Sequence, residues 1–156
     1  MFPTYLPHYN TTALRQVHTI FTNITTQHPT VASTSVYVIE GYSHQAVLAV
    51  PSDSTAFPHR AYPLLSSPVW GYNDTALSGT IQAASRAMRQ AMVRGSGEGQ
   101  PLRGYVNYAF GDESTPELYG HEAWRGKKLK ALKKRWDPRG RFGFYAPIVP
   151  GDDEGW

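Results

Sequence analysis

Residues 35–50 read SVYVIEGYSHQAVLAV, and this stretch is the best indicator of the fold class. Two runs rich in β-forming residues, Ser35–Glu40 and Ala46–Val50, lie on either side of the segment 41–45, which begins with Gly41. A five-residue connection that contains a glycine suits a hairpin loop, so the stretch predicts two antiparallel strands. The unbroken apolar run 36–39 predicts a strand near the centre of a sheet or one that is covered on both faces.

Helical periodicity surrounds this stretch on both sides. Residues 11–27 and about 75–94 carry apolar side chains at spacings of three and four, which predicts two amphipathic helices. Thr115-Pro116-Glu117 is typical of a helix start, and a basic helix is predicted to follow it and to stop at Asp137-Pro138. The apolar positions are Leu14, Val17, Phe21 and Ile24 in the first helix, Leu77, Ile81, Ala84, Met88 and Met92 in the second, and Leu129, Leu132 and Trp136 in the basic one.

The remaining segments complete the predicted architecture. The proline-rich stretch 51–70 reads as irregular, with a possible extended piece at Tyr62–Leu65 that could pair at a sheet edge. Residues 95–101 form a glycine-rich connector, and Tyr105–Tyr108 is predicted to be a short strand. The order predicts an α+β fold, an antiparallel sheet flanked by helices. Residues 1–150 are expected to form one domain and residues 151–156 an acidic tail.

Composition excludes several functional classes. The 156 residues are 40% hydrophobic and 17% charged, which is typical of a folded domain, and they include no cysteine. Thiolate chemistry, cysteine-ligated metals and cysteine-linked cofactors are therefore excluded. The six histidines show no metal-binding spacing, so no metal is expected. No apolar run is long enough to span a membrane and no signal peptide is visible, so we expect a cytoplasmic protein, although three glycosylation sequons leave a secretory ancestry open.

The net charge of +3 is confined to one segment. Nine of the fifteen basic residues lie between Arg125 and Arg141, whereas residues 1–124 carry six basic and eight acidic residues, a net charge of −2. A basic helix can bind nucleic acid or an anionic membrane, but it is more often a solvated surface. Neither nucleic acid nor membrane is therefore expected as a partner.

Several motifs together resemble one family. Tyr105-Val106-Asn107-Tyr108, Tyr119-Gly120, and the run from Leu129 through Trp136-Asp137-Pro138 to Phe142 look like the C-terminal signature of the FAD-linked oxidases related to berberine bridge enzyme. Thr55-Ala56-Phe57-Pro58-His59-Arg60, with Trp70 beyond it, is similar to a further family stretch. The pieces occur in the family's order over about residues 35–148. This family belongs to the vanillyl-alcohol-oxidase-like flavoproteins, whose substrate domain is an antiparallel sheet with helices.

The resemblance implies a domain without its flavin partner. Family members are much longer, and their N-terminal part binds FAD through a glycine-rich loop that has no counterpart here. The chain is thus expected to be a stand-alone product corresponding to the substrate-binding and C-terminal portion, with no cofactor of its own and with FAD only if a partner chain supplies it. The surface that packs on the flavin domain in the family is expected to mediate homo-oligomerisation.

The resemblance also implies roles for individual residues. The tyrosine matching Tyr105 is a catalytic base in several members, and the asparagine matching Asn107 is a polar contact near the flavin ring; the alternative is a strand whose tyrosines merely pack. His59 is a candidate acid–base group near neutral pH, and Arg60 is a candidate clamp for an anionic or carbonyl group or, alternatively, a tie between loop segments. Glu40 is expected to be a strand-end ion pair. The predicted substrate-binding residues are Tyr37, Tyr62, Trp70 and Tyr108.

Three functional hypotheses follow. In the first, the chain is a natural-product enzyme that works without a flavin, binds an aromatic or polyketide-like compound, and steers a cyclisation or cycloaddition by holding a reactive conformer and polarising a carbonyl. In the second, it is the substrate-binding half of a split FAD-linked oxidoreductase. In the third, it is a non-catalytic remnant or binding module.

Overall fold

A three-stranded antiparallel sheet forms the centre of the computed structural model, which describes residues 1–149. The strands are β1 (Thr4–Leu6), β2 (Val36–Gly41) and β3 (Leu64–Val69), and their order is β1–β3–β2. Leu65 pairs with Tyr5 on one side and with Glu40 on the other. Because directly opposed residues on antiparallel strands point to the same face, the sheet places Tyr5 and Glu40 on one face, either side of Leu65.

Helices cover the other face of the sheet. The long helices α1 (Thr11–Gln27) and α4 (Ser78–Gly95) pack on each other and on the strands. Leu6 and Leu64 lie in the resulting core with Val17 and Met88, all of them buried. A second cluster joins Ile24, Val31, Ile81 and Ala84. The apolar stripes predicted for both helices are thus confirmed as core packing, and so is the α+β fold class.

Shorter elements complete the chain. The helices are α2 (Pro29–Ala32), α3 (Gln45–Leu48), α5 (Thr115–Tyr119) and α6 (Ala123–Trp136), and single 3-10 turns span Thr75–Leu77 and Val106–Tyr108. The predicted C-terminal helix is therefore present in two parts, α5 and α6, which residues 120–122 separate. The predicted acidic tail, 151–156, lies outside the described residues.

Asn10 and Gly95 hold the first turn of α1 beside the last turn of α4. The Asn10 side-chain oxygen accepts a hydrogen bond from the Ala13 amide at 3.0 Å, which caps α1, and its amide nitrogen donates to the Gly95 carbonyl at 3.0 Å. A Cβ atom at Gly95 would lie 2.6 Å from the Ala13 Cβ. A side chain at position 95 would therefore push α1 and α4 apart.

The predicted hairpin is wrong. Ser35–Glu40 matches β2, but Ala46–Val50 is not a strand, because residues 45–48 form the single turn α3. Alanine and leucine favour helix, and Pro51 follows too soon for a longer one. The strand β2 is also an edge strand and not a central one.

The true neighbour of β2 comes from the proline-rich stretch. Residues Leu64–Val69 form the central strand β3, where the sequence predicted at most an edge piece at Tyr62–Leu65. Pro68 lies beyond the residues of β3 that pair with β1, and its paired residue is Tyr37 in β2. The N–H group that proline lacks is therefore not needed for a hydrogen bond to β1. The three-residue strand β1 was not predicted, since Pro3 and Pro7 enclose it.

The predicted strand at Tyr105–Tyr108 is also wrong. Tyr105 is extended, but Val106–Tyr108 form a 3-10 turn in which the Tyr108 amide donates to the Tyr105 carbonyl at 2.9 Å. The turn brings the side chains of this segment together instead of alternating them across a sheet. No helix within residues 1–149 combines the length and apolar character required to cross a membrane.

Candidate small-molecule site

A row of aromatic rings lies on the sheet face that α1 and α4 leave uncovered. The Tyr5 ring is at its centre, with its centroid 4.8 Å from the His59 ring and 6.1 Å from each of the Phe57 and Tyr105 rings. The Tyr105 ring continues the row to Tyr108 at 5.1 Å. We call these five residues the tyrosine wall. It joins three distant parts of the chain, namely β1, the segment before β3 and the 3-10 turn after α4.

Polar groups lie at one end of the tyrosine wall. The Asn107 amide nitrogen donates to the Tyr105 phenol oxygen at 2.8 Å. The Glu40 carboxylate accepts a hydrogen bond from the Tyr42 hydroxyl, and its interaction with Tyr42 and with Tyr108 raises the pKa of both tyrosines. Burial, and then the electrostatic influence of the nearby Tyr105 and Glu40, also raise the pKa of Tyr5 above its usual range. A raised pKa keeps the hydroxyl groups of Tyr5, Tyr42 and Tyr108 protonated, so each of them can donate a hydrogen bond.

His59 does not meet the expectation of a group that titrates near neutral pH. It is 3% exposed, and its Nε2 donates to the Gly104 carbonyl at 3.0 Å. Burial lowers the pKa of the imidazole to about 4, so the ring is neutral at pH 7. Within the tyrosine wall, His59 is an uncharged, buried ring. Its hydrogen bond to Gly104 connects the Phe57–Arg60 segment to the residue that precedes the 3-10 turn segment.

Arg60 ties loop segments together. Its Nη1 donates to the Val47 carbonyl at 3.1 Å and its Nη2 to the Thr55 hydroxyl at 2.6 Å, while its guanidinium carbon lies 5.6 Å from the centroid of the Phe57 ring. The alternative that Arg60 joins loop segments is thus observed. Its third nitrogen, Nε, is buried and has no hydrogen-bond partner among the described residues. A role of Arg60 as a clamp for substrate stays a prediction.

The other predicted binding residues lie apart from the wall. Tyr37 packs against the helix-side core, where its hydroxyl donates to Ser66 at 3.1 Å and burial raises its pKa to about 12. Trp70 stacks on Phe21 and donates from its indole nitrogen to Ser85 at 2.9 Å. Tyr62 lines a cavity next to His59. The structure thus brings together Tyr105, Asn107, Tyr108 and His59, and it places Tyr37 and Trp70 on the opposite face of the sheet.

Sequence reasoning missed two members of the site. Tyr5 was not considered, although it is the central ring of the wall. Glu40 was expected to form an ion pair but instead accepts a hydrogen bond from the Tyr42 hydroxyl. The alternation of β2 could have placed Glu40 on the face opposite to Ile39, but the pairing of both strands with Leu65 was needed to bring Tyr5 beside it.

A C-terminal segment holds the 3-10 turn in place. The Tyr145 hydroxyl lies 2.8 Å from the Val106 carbonyl and 3.0 Å from the Ala109 carbonyl, so its single hydrogen is shared between the acceptors at the two ends of the turn. The Tyr119 hydroxyl donates to the Ala146 carbonyl at 2.7 Å, which fixes the segment itself. We call residues 144–149 the strap. Through Tyr145, the strap fixes the backbone that carries Asn107 and Tyr108.

The described residues do not fit the diphosphate of a dinucleotide cofactor. Such a group is usually held by glycine-rich backbone that opens a helix. The glycine-rich segment here follows α4 and leads into extended chain, so it opens no helix, and two of the other helical segments begin at the acidic residues Asp74 and Glu122. Carboxylates at these positions repel phosphate. Within residues 1–149, no group of three or more histidine, aspartate or glutamate side chains could hold a metal ion.

Comparison with known proteins gives a consistent relationship. Residues 104–149 match the family described as berberine and berberine like. The chain is 38% identical over 150 residues to the FAD-linked oxidoreductase chry5 of Gibberella zeae and 40% identical to the FAD-linked oxidoreductase anuG of Penicillium roqueforti. These alignments cover 95% and 94% of this chain but 29% of each relative. A third relative, the FAD-linked oxidoreductase chyH of Penicillium rubens, is 36% identical over 95% of this chain and 30% of its own length.

The matched family segment coincides with the parts that carry the turn and the strap. It begins at Gly104, which accepts the hydrogen bond from His59, and runs to residue 149. The chain spans about 29% of the length of the relatives that it matches. Residues 104–149 therefore match the berberine and berberine-like family, and the chain as a whole is similar to one part of the FAD-linked oxidoreductases.

Proposed function

We propose that the tyrosine wall binds a flat aromatic or polyketide-like compound of natural-product biosynthesis and promotes its cyclisation without a flavin of the chain's own. The observation that carries this proposal is the continuous row of rings from Phe57 to Tyr108 that ends in Asn107 and Glu40. An aromatic lining with a few polar groups at one end is the usual composition of a site for such compounds.

The polar end supplies the chemistry. Because Asn107 donates to the Tyr105 oxygen, the Tyr105 O–H is directed to another acceptor, such as a carbonyl oxygen of the bound compound. A hydrogen bond to that oxygen withdraws electrons from the adjacent carbon and favours attack on it by a nucleophilic carbon or oxygen of the same molecule. The wall meanwhile holds the compound in the folded conformer that the ring closure requires. The reaction is redox-neutral and needs no external oxidant.

A second candidate function is favoured by the relatives. They are FAD-linked proteins, and this chain spans about 29% of their length. In this alternative, another chain supplies the flavin, and the tyrosine wall contacts the bound substrate beside it. The described residues would then contribute substrate contacts but no hold on the diphosphate.

Ligand titrations test the proposal on the purified chain. We expect 2,4-dihydroxyacetophenone, a flat carbonyl-bearing phenol, to shift the NMR signals of Tyr105 and Tyr108 but not those of Tyr72, which lies on the helix side. Tyr105→Phe should weaken binding roughly fivefold, which corresponds to the loss of about 1 kcal/mol from one hydrogen bond. Tyr72→Phe should leave the affinity unchanged.

Flavin probes separate the two candidates. If the chain binds no flavin of its own, the protein purifies without visible absorbance, and added FAD binds no more tightly than riboflavin, because no residues hold the diphosphate. Tight FAD binding by the isolated chain would contradict the first candidate. Co-purification of a flavin-bearing chain would establish the second. Absence of any shift at Tyr105 with 2,4-dihydroxyacetophenone would remove the support for the first.

A further inference from the structure

A separate cavity of about 360 Å³ adjoins the tyrosine wall and shares His59 with it. Its walls are the loop after α3 and the segments around Arg103 and His121. Apolar side chains of Leu48, Val50 and Tyr62 line it beside the guanidinium groups of Arg60 and Arg103. A volume above about 300 Å³ is sufficient for a small organic ligand. We call this space the arginine cavity.

The charge of the arginine cavity is positive. Arg60 and Arg103 contribute two permanent cations. The Glu122 carboxylate also lines the cavity, but it lies 3.1 Å from the Arg125 Nε, which balances its charge. His59 is neutral at pH 7, and the Nε2 of His121 donates to the Leu102 carbonyl at 2.8 Å. The excess positive charge favours an anionic ligand.

Both arginines are held in place and keep donors for a ligand. The Arg103 guanidinium carbon lies 4.3 Å from the centroid of the Tyr62 ring, and its Nη1 donates to Gln100 and to the Pro101 carbonyl. Arg60 is fixed by its two terminal nitrogens, and its buried Nε–H has no acceptor among the described residues. The two terminal nitrogens of Arg60 each carry a second N–H, and these are the donors that Arg60 offers to a ligand.

From this geometry we infer that the arginine cavity binds a small organic carboxylate with a flat or aliphatic body. Its carboxylate would accept hydrogen bonds from Arg60 and Arg103, since a planar guanidinium matches a carboxylate. Its apolar part would lie against Tyr62, Leu48 and Val50. This inference does not rest on the proposed function, because none of the cavity residues except His59 belongs to the tyrosine wall.

Matched ligands test the inference on the full chain. We expect 3-phenylpropanoate to bind at least about tenfold more tightly than its neutral amide, 3-phenylpropanamide, in calorimetry. NMR signals of Tyr62 and His121 should shift on addition of the carboxylate, whereas those of Tyr105 and Tyr108 should not. Inorganic phosphate serves as the second anion, and it should compete weakly because it has no apolar body.

Variants identify the residues that bind. Arg103→Gln should weaken binding of 3-phenylpropanoate about tenfold, and Arg15→Gln, an exposed position on α1, should leave it unchanged. Arg60→Gln should weaken binding to a similar extent. If Arg60→Gln does not fold, because Arg60 connects two loop segments, then Arg103→Gln and the comparison of the carboxylate with its amide decide the outcome. Equal affinity for the carboxylate and its amide, equal affinity for phosphate, or an unaffected Arg103→Gln variant would each overturn the inference.

Discussion

The burial of His59 favours the neutral form of its imidazole ring. The folded protein keeps its pKa near 4, whereas the unfolded chain has the ordinary value of 6.5. Between these two values the unfolded chain binds a proton that the folded one does not, so stability is full above pH 6.5 and falls as the pH drops towards 4. The depressed pKa values of Asp112, Glu122 and Asp137 add losses that begin as the pH falls into the ordinary carboxyl range, near pH 4, and continue below it.

The first prediction therefore concerns pH. Between pH 7 and pH 4 the free energy of unfolding should fall by about 3 kcal/mol through His59 alone. Urea denaturation at both pH values measures this difference. His59→Asn should be less stable than the wild type at pH 7 but should show a much smaller loss on acidification. His18→Asn, at an exposed position on α1, is the control; an equal pH effect in both variants would contradict the assignment.

Arg89 gives a second prediction at the scale of the residue. It is 9% exposed, and it lies 2.6 Å from Glu113 and 3.0 Å from Asp112. Arg89→Met should destabilise the fold by about 3 kcal/mol, because it leaves the fully buried Glu113 carboxylate without its cation. Arg86→Met removes a more exposed partner of Asp112 and should cost less than about 1 kcal/mol. Thermal unfolding of both variants provides the comparison, and similar losses would refute the distinction.

Among the elements, the strap and the 3-10 turn depend on each other. The turn has two backbone hydrogen bonds of its own, which the Tyr108 and Ala109 amides donate. The Tyr145 hydroxyl lies within hydrogen-bond distance of the carbonyls at both ends of the turn. A short 3-10 turn has weak internal hydrogen bonds. Its orientation, and with it the position of Asn107, is therefore set from outside by Tyr145, which acts as a positioning residue.

The third prediction tests this dependence. Tyr145→Phe should increase amide hydrogen exchange at Tyr108 and Ala109, the two hydrogen-bonded amides of the turn, about tenfold, corresponding to about 1.4 kcal/mol of lost local stability. It should also weaken binding at the tyrosine wall although Tyr145 is not part of that wall. Tyr9→Phe changes an exposed tyrosine away from the strap and should leave both measurements unchanged. Unaltered exchange at Tyr108 and Ala109 in Tyr145→Phe would show that the turn is held by other contacts.

The elements that the sequence predicted correctly are those with local causes. The stripe of Leu77, Ile81 and Met88 defines α4 within one segment, and Ser114 with Glu117 forms a capping box at the start of α5. The sheet depends instead on the pairing of β2 with a strand that follows it by more than twenty residues, and no local pattern marks that pairing. The site residues likewise fall into those found from a local motif and those that depend on strand pairing. Tyr105 and Asn107 were found through a contiguous motif, whereas Tyr5 joins them only through β1 and β3.

At the scale of the whole molecule, β2 leaves one edge of the sheet uncovered. Its residues 36–39 are apolar and contain neither proline nor a charge, and Val36 is 51% exposed. Such an edge offers unpaired backbone groups to another strand. We propose that two copies of the chain pair through β2; a homo-oligomer formed through the surface that packs on the flavin domain in the family stays a separate prediction.

The fourth prediction follows from that edge. Light scattering should find a dimer, and Val36→Lys should shift it to the monomer because a charge on an edge strand opposes pairing. Leu48→Lys, at a similarly exposed position in α3, should leave the dimer intact. A wild-type monomer at high protein concentration would contradict the pairing of β2.

The stacking of Phe2 on Phe110, with ring centroids 4.2 Å apart, has a practical consequence for protein engineering. It places the second residue of the chain beside the segment that follows Tyr108, and the Phe2 amide is bonded to Ser67 at 3.1 Å. An affinity tag fused ahead of Met1 would thus emerge beside this stack and beside Arg86 and Arg89 of α4, whose guanidinium carbons lie 5.4 and 5.3 Å from the Phe2 ring centroid, and it would disturb these contacts. An insertion at Gly99, where a side chain would meet no atom within 4 Å, is the safer position for a label or an immobilisation handle.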